Sequence, residues 1–124
     1  MTRAPVRSML FPVFVLVLAG CASSRLRIEV LGFADCPNTP VVGGNVEKAV
    51  ASLGLAADVV YVDQERLPAG DPRRGWPAPT VLVDGRDLFG LPAPQGAQMG
   101  CRMYPRGIPT PPEIAEALRS RSRP

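Results

Sequence analysis

Two strand-like runs separated by one amphipathic helix constrain this chain more than any other feature. Leu26-Arg27-Ile28-Glu29-Val30-Leu31-Gly32-Phe33 opens with apolar–charged alternation, the period-two signature of a strand. Ala57-Asp58-Val59-Val60-Tyr61-Val62 is rich in β-branched residues and reads as a second, buried strand. Between them Val42, Val46, Ala49, Val50 and Leu53 recur at helical spacing. A connection that holds a helix of about 14 residues makes the two strands parallel, with a right-handed crossover. The helix start has two readings. Either Cys36 is the N-cap with Pro37 at the first helical position, or Thr39 is the N-cap with Pro40 there. Proline is tolerated in both places because the first amides have no helical acceptor. Gly43 and Gly44 weaken the first turns by about 1 kcal/mol each relative to alanine. Gly54 is a natural C-cap.

The rest of the chain extends this unit. Asp63–Trp76 is polar and turn-rich, with one short helical turn expected at Gln64–Leu67. Thr80-Val81-Leu82-Val83 reads as a third strand. Asp84-Gly85 is a strong two-residue hairpin signal, and Arg86-Asp87-Leu88-Phe89 follows as a fourth strand antiparallel to the third. Gly90–Pro109 is a long loop carrying Cys101. Pro111–Leu118 is a closing helix capped by Thr110, and residues 120–124 read as a flexible tail. The 12 glycines and 15 prolines make the chain loop-rich without making it low in complexity. At 124 residues there is room for one domain. Asp63, Asp84 and Asp87 read as turn and surface residues, and Arg102 and Tyr104 as solvated loop residues beside Cys101.

The chain has no histidine. That excludes a Ser-His-Asp triad, a Cys-His nucleophile pair and a His-ligated zinc site. The arginines are scattered, with no basic stripe interleaved with aromatics, which argues against a nucleic-acid partner. The three cysteines are an odd number, and the N-terminus accounts for the odd one. Arg3 and Arg7 precede an apolar run, Met9–Leu18, which is too short for the ~20 residues of a transmembrane helix. The run ends in Leu18-Ala19-Gly20-Cys21, followed by Ala22-Ser23-Ser24. Leu-Ala-Gly-Cys at this distance resembles the lipobox of bacterial lipoproteins. The resemblance implies a signal peptide over residues 1–20, cleavage before Cys21 and a lipid on its sulfur. Residues 21–25 would then be a tether, and the folded part an extracytoplasmic, membrane-anchored monomer. Loss of Arg3 and Arg7 takes the formal charge from +3 to +1.

The order of elements, with Cys36-Pro37 at the first strand–helix junction and Ala78-Pro79-Thr80 before the third strand, resembles the thioredoxin fold. Phe33-Ala34-Asp35-Cys36-Pro37-Asn38, Pro79–Asp87, Gly100-Cys101-Arg102-Met103-Tyr104 and Gly107-Ile108-Pro109 are similar to a family of small bacterial thioredoxin-like proteins. Its members are sometimes labelled alkylmercury lyases. That label does not carry over, because the genuine organomercurial lyases are larger and differently folded. Cys36, Cys101 and Asp35 only imitate their inventory of two cysteines and an aspartate. The resemblance covers residues 26–119. It implies an α/β, four-stranded mixed sheet in the order β-α-β, connector, β-β-α, with flanking helices. It also implies a cis Pro79 facing Cys36.

Where thioredoxins carry Cys-x-x-Cys, this chain reads Cys36-Pro37-Asn38-Thr39, so the local resolving cysteine is missing. A helix N-terminus favours a thiolate at Cys36 and Asp35 opposes it, while Thr39 is placed to donate to the sulfur. In a thioredoxin topology the loop bearing Cys101 returns to the edge of Cys36. The pair would then be a structural disulfide, a labile redox disulfide, a two-thiolate site for a soft metal such as mercury or copper(I), or two free thiols. The expected site comprises Cys36, Cys101 and Pro79 as catalytic residues and Pro37, Thr39, Trp76 and Thr80 along a substrate groove, with Cys21 as lipid acceptor. No cofactor and no dedicated metal centre is expected. The expected activity is thiol–disulfide exchange with a protein or small thiol. The alternative is a non-enzymatic lipoprotein serving as an interaction or thiophilic-metal module.

Overall fold

β1 (Leu26–Gly32) runs beside β2 (Ala57–Asp63) in parallel, residue for residue from Leu26 opposite Ala57 to Gly32 opposite Asp63. The computed structural model describes Gly20 and residues 24–122. The expected signal peptide, the lipid acceptor Cys21 and the last two residues lie outside the described residues. Helix α1 (Asn38–Leu53) joins the two strands. Pro37, just before it, already has helical angles, φ −67° and ψ −19°, and the Cys36 carbonyl accepts from the Thr39 amide at 3.3 Å. Pro37 is therefore the N-cap and Asn38 the first helical residue, so the helix starts by neither of the two expected routes, and it has no side-chain cap. Gly54 closes it at φ 58°, a left-handed conformation that glycine reaches without a Cβ penalty.

β3 (Thr80–Val83) is antiparallel to β1, with Val30 opposite Val81 and Leu31 opposite Thr80. Asp84 and Gly85, at φ 50° and 78°, turn it into β4, so the expected hairpin is present. β4 spans only Arg86–Asp87, two residues short of the expected strand. The Leu88 amide still bonds the Val81 carbonyl, but Asp87 then draws the chain into a turn. Helix α2 (Pro111–Arg121) follows the long loop. The Thr110 amide and hydroxyl both donate to the Glu113 carboxylate, which fixes its start. The helix runs past Leu118 and takes in Ser120 and Arg121, which the sequence reads as tail. Arg121 reaches back to the carbonyls of Val83 and Asp87. The expected helical turn after β2 is present as Gln64–Arg66, and a second one, Pro72–Gly75, was not expected. Among the described residues the result is an α/β fold with a four-stranded mixed sheet, order β2-β1-β3-β4, one parallel pair and two α-helices.

Both helices cover one face of the sheet. Ile28 and Val30 of β1 and Val81 and Val83 of β3 meet Val42, Val46 and Ala49 of α1 and Ile114, Ala115 and Leu118 of α2. The alternate residues Leu31 and Leu82 point the other way and pack with Trp76 and Val62. β2 corrects the expectation of a buried strand. It pairs only with β1 and is half-exposed along its length, with Tyr61 50% accessible. Tyr61 in turn explains Gly43. A Cβ on Gly43 would lie 2.3 Å from the Tyr61 ring, so the glycine that costs helix propensity permits the aromatic ring to lie on the helix. The Tyr61 hydroxyl donates to Glu47 at 2.9 Å.

Ile114, fully buried, ties α2 to the sheet. Ile114→Ala is expected to lower unfolding stability by about 2–5 kcal/mol, read from urea denaturation. An effect below 1 kcal/mol would mean that α2 is not part of the cooperative core.

Candidate functional site

The strand–helix junction brings Cys36 beneath the segment that opens β3. Leu31, near the end of β1, lies opposite Thr80, the first residue of β3, so the chain leaving β1 passes the chain entering β3. Cys36 is 3% exposed and its thiol donates to the Ala78 carbonyl at 3.9 Å. The next peptide bond, Ala78–Pro79, is cis.

Ala78 is also where the long loop docks. Its amide bonds the Gly100 carbonyl at 2.7 Å, and its carbonyl accepts the Arg102 amide at 2.7 Å. Cys101, between these two residues, forms a parallel bridge with Ala78. Both cysteines thus sit against one residue, Cys36 buried and Cys101 exposed, and both are free thiols. The loop carrying Cys101 does return to the Cys36 edge.

A buried ion pair holds this loop in place. The Asp87 carboxylate is fully inaccessible and the Arg102 side chain 9% exposed, and the guanidinium binds both carboxylate oxygens, at 2.5 and 3.0 Å. Asp87 also accepts the amides of Phe89 and Leu91 at 3.0 and 2.9 Å. Arg102 reaches the Thr80 hydroxyl at 3.2 Å and stacks on Tyr104, its guanidinium carbon 4.3 Å from the ring centroid. Tyr104 meets Phe89 edge-on at 5.8 Å, and its hydroxyl donates to the Pro79 carbonyl at 2.7 Å. Burial pushes the Tyr104 phenol up to about 12, with Arg102 opposing and Asp87 adding. These contacts correct the reading of Asp87, Arg102 and Tyr104 as surface residues. The sequence signal was slight: one acid beside a hairpin and one arginine 15 positions later.

The other expected site residues are dispersed. Pro79 is buried and its carbonyl is taken by Tyr104. Thr80 is also buried, its hydroxyl donating to Pro77 at 2.6 Å, so it supports Arg102 from below instead of lining an open groove. Pro37 is exposed beside Cys36. The Thr39 hydroxyl is buried with no hydrogen-bond partner, so it does not donate to the sulfur as expected. It packs on Gly32, where an added Cβ would meet it at 2.3 Å. Trp76 is 4% exposed and belongs to the core on the sheet face away from the helices, which is the packing role and not that of a lid.

A groove of about 930 Å³ lies between the loop and α2. Phe89, Leu91, Cys101, Met103 and Tyr104 line it, and Cys36 does not. Among the described residues no three His, Cys, Asp or Glu side chains are grouped to hold a metal, and no helix is long and apolar enough to cross a membrane. No protein-family model, curated protein or solved structure matches this chain.

Two outcomes follow. Asp87→Ala strands a buried guanidinium and is expected to cost about 3–5 kcal/mol in urea unfolding, while a paired Asp87→Leu, Arg102→Met replacement recovers much of that loss. A loss below 1 kcal/mol in the single variant would contradict a buried, compensated pair. Tyr104 is held protonated by the fold, so its contribution to stability is complete below pH 10 and falls as pH rises from there towards 12. Tyr104→Phe should remove that alkaline loss and the late step in the tyrosinate absorbance titration.

Proposed function

We propose that this chain is a thioredoxin-like thiol protein that exchanges disulfides through Cys36 and Cys101 and is held by a lipid on Cys21 at the outer side of a bacterial membrane. The observation that carries the reading is the convergence of both cysteines on Ala78, Cys36 through its thiol and Cys101 through its backbone, beside the cis Pro79. The strand order β2-β1-β3-β4, with Cys36 at the first strand–helix junction, supports the fold assignment.

In this reading Cys36 loses its proton to solvent and its thiolate attacks one sulfur of a substrate disulfide. A mixed disulfide forms and the other substrate sulfur leaves as a thiolate. The Cys101 thiolate then attacks the Cys36 sulfur, expels the second substrate thiolate and leaves a Cys36–Cys101 disulfide. A partner thiol of lower potential returns the pair to its reduced form. Cys36 at 3% exposure cannot meet a substrate without movement of the chain around it, and in this reading the segment that moves is Gly100–Arg102, docked on Ala78. Exposed Cys101 is the thiol that meets solvent first. The apolar groove beside it supports a peptide-like substrate over a small polar thiol.

The test is exchange against a mixed-disulfide probe. Cys36→Ser should abolish turnover. Cys101→Ser should trap the probe on Cys36, visible as one added mass in an intact spectrum. Turnover unaffected by Cys36→Ser would overturn the assignment. In the folded reduced protein Cys101 should alkylate at least about tenfold faster than Cys36, because only one is open to solvent. For the anchor, the mature chain expressed in a bacterial envelope should begin at a lipidated Cys21. An unmodified Cys21 would sink that part and leave the exchange chemistry standing.

A further inference from the structure

Beyond exchange chemistry, the loop segment exposes three sulfur-bearing side chains, those of Met99, Cys101 and Met103. From Cys101 to Tyr104 the side chains alternate outward and inward. Arg102 and Tyr104 turn in to Asp87 and the Pro79 carbonyl, while Cys101 and Met103 face solvent. The bonds from Ala78 to Gly100 and Arg102 hold the segment extended, as the bridge at Cys101 requires. In an extended chain residues two apart lie on the same face. Met99, two positions before Cys101, is exposed as well, and Met103 is 88% accessible. A methionine so exposed adds nothing to the core, so packing does not account for it.

We propose that Met99, Cys101 and Met103 form a binding site for a soft monovalent cation of the copper(I) class. One thiolate flanked by two thioethers is a donor set that selects copper(I) over harder cations. Neighbouring donors stand roughly 7 Å apart along an extended chain. Each methionine side chain has three rotatable bonds, enough to swing its sulfur over the central Cys101. On binding, the Cys101 thiol gives its proton to solvent and the thiolate sulfur donates an electron pair to the metal. Each thioether donates a lone pair without losing a proton, so the bound cation and the thiolate cancel in charge. The local electrostatics permit a cation. Arg102 is neutralised by Asp87 at 2.5 Å and Arg106 is paired with Glu113 at 3.4 Å. The site does not rest on the exchange reading, because Cys36 has no part in it.

The experiment titrates copper(I) into the reduced chain, residues 21–124, without oxygen, against a coloured copper(I) chelator. X-ray absorption of the complex counts the sulfur ligands. One copper(I) per chain with three sulfur ligands is expected. Met99→Leu and Met103→Leu should each weaken binding by at least about tenfold, the scale seen when even supporting groups of a metal site are removed. Cys101→Ser should weaken it further. Both methionine variants replace exposed side chains with apolar ones of similar size, and unchanged thermal unfolding will verify that each is folded. Cys36→Ser should leave copper(I) affinity unchanged while abolishing disulfide exchange. Affinity unaltered by the double methionine replacement would overturn the proposal, as would loss of binding in Cys36→Ser.

Discussion

The Asp87–Arg102 pair is the interaction on which the arrangement around the thiols depends. A guanidinium and a carboxylate removed from water cost several kcal/mol each unless every lone pair and proton is answered. Here the carboxylate accepts four hydrogen bonds and the guanidinium donates three. Asp87 receives both nitrogens of Arg102 and the amides of Phe89 and Leu91, while Arg102 also reaches Thr80 and lies on Tyr104. Two charges that could not be left alone in the interior thereby fix the first residues of the long loop and its middle against the hairpin. The loop has no regular element of its own between β4 and α2. Its position is set by side chains, and the bonds from Gly100 and Arg102 to Ala78 follow from it.

That placement makes the two cysteines unequal. Cys36 is covered and its thiol donates a hydrogen bond to the Ala78 carbonyl, whereas Cys101, Met99 and Met103 of the docked loop segment are exposed. The proposed exchange uses the inner side of this segment and the proposed copper(I) site its outer side. Cys101 belongs to both, so a metal held there would compete with a disulfide to Cys36.

The regular elements were legible because local rules decide them. Period-two alternation marked β1, helical spacing marked α1, Asp84-Gly85 marked the hairpin, and Thr110 marked the start of α2. The misread residues are those whose role depends on something distant. Asp87 looked like a turn residue because its partner is 15 positions away. β2 looked buried because β-branched residues suit both central and edge strands, and only the strand order distinguishes them. Gly43 looked like a defect until Tyr61 was placed against it. The Thr39 hydroxyl could have turned to the sulfur, but it lies against Gly32 with no partner.

Sequence alone determined the class of the fold and the chemical inventory. A parallel pair joined by a helix and an antiparallel pair joined by a two-residue turn leave few ways to build a sheet. A chain without histidine has no imidazole to activate a nucleophile, so any thiolate must be made by its backbone and other neighbours. Tertiary structure alone decided which thiol is covered, which residues hold the loop and which sulfurs are exposed. Those are properties of a segment without regular secondary structure. No period in the sequence encodes its path, and two buried charges far apart in the chain determine where it lies.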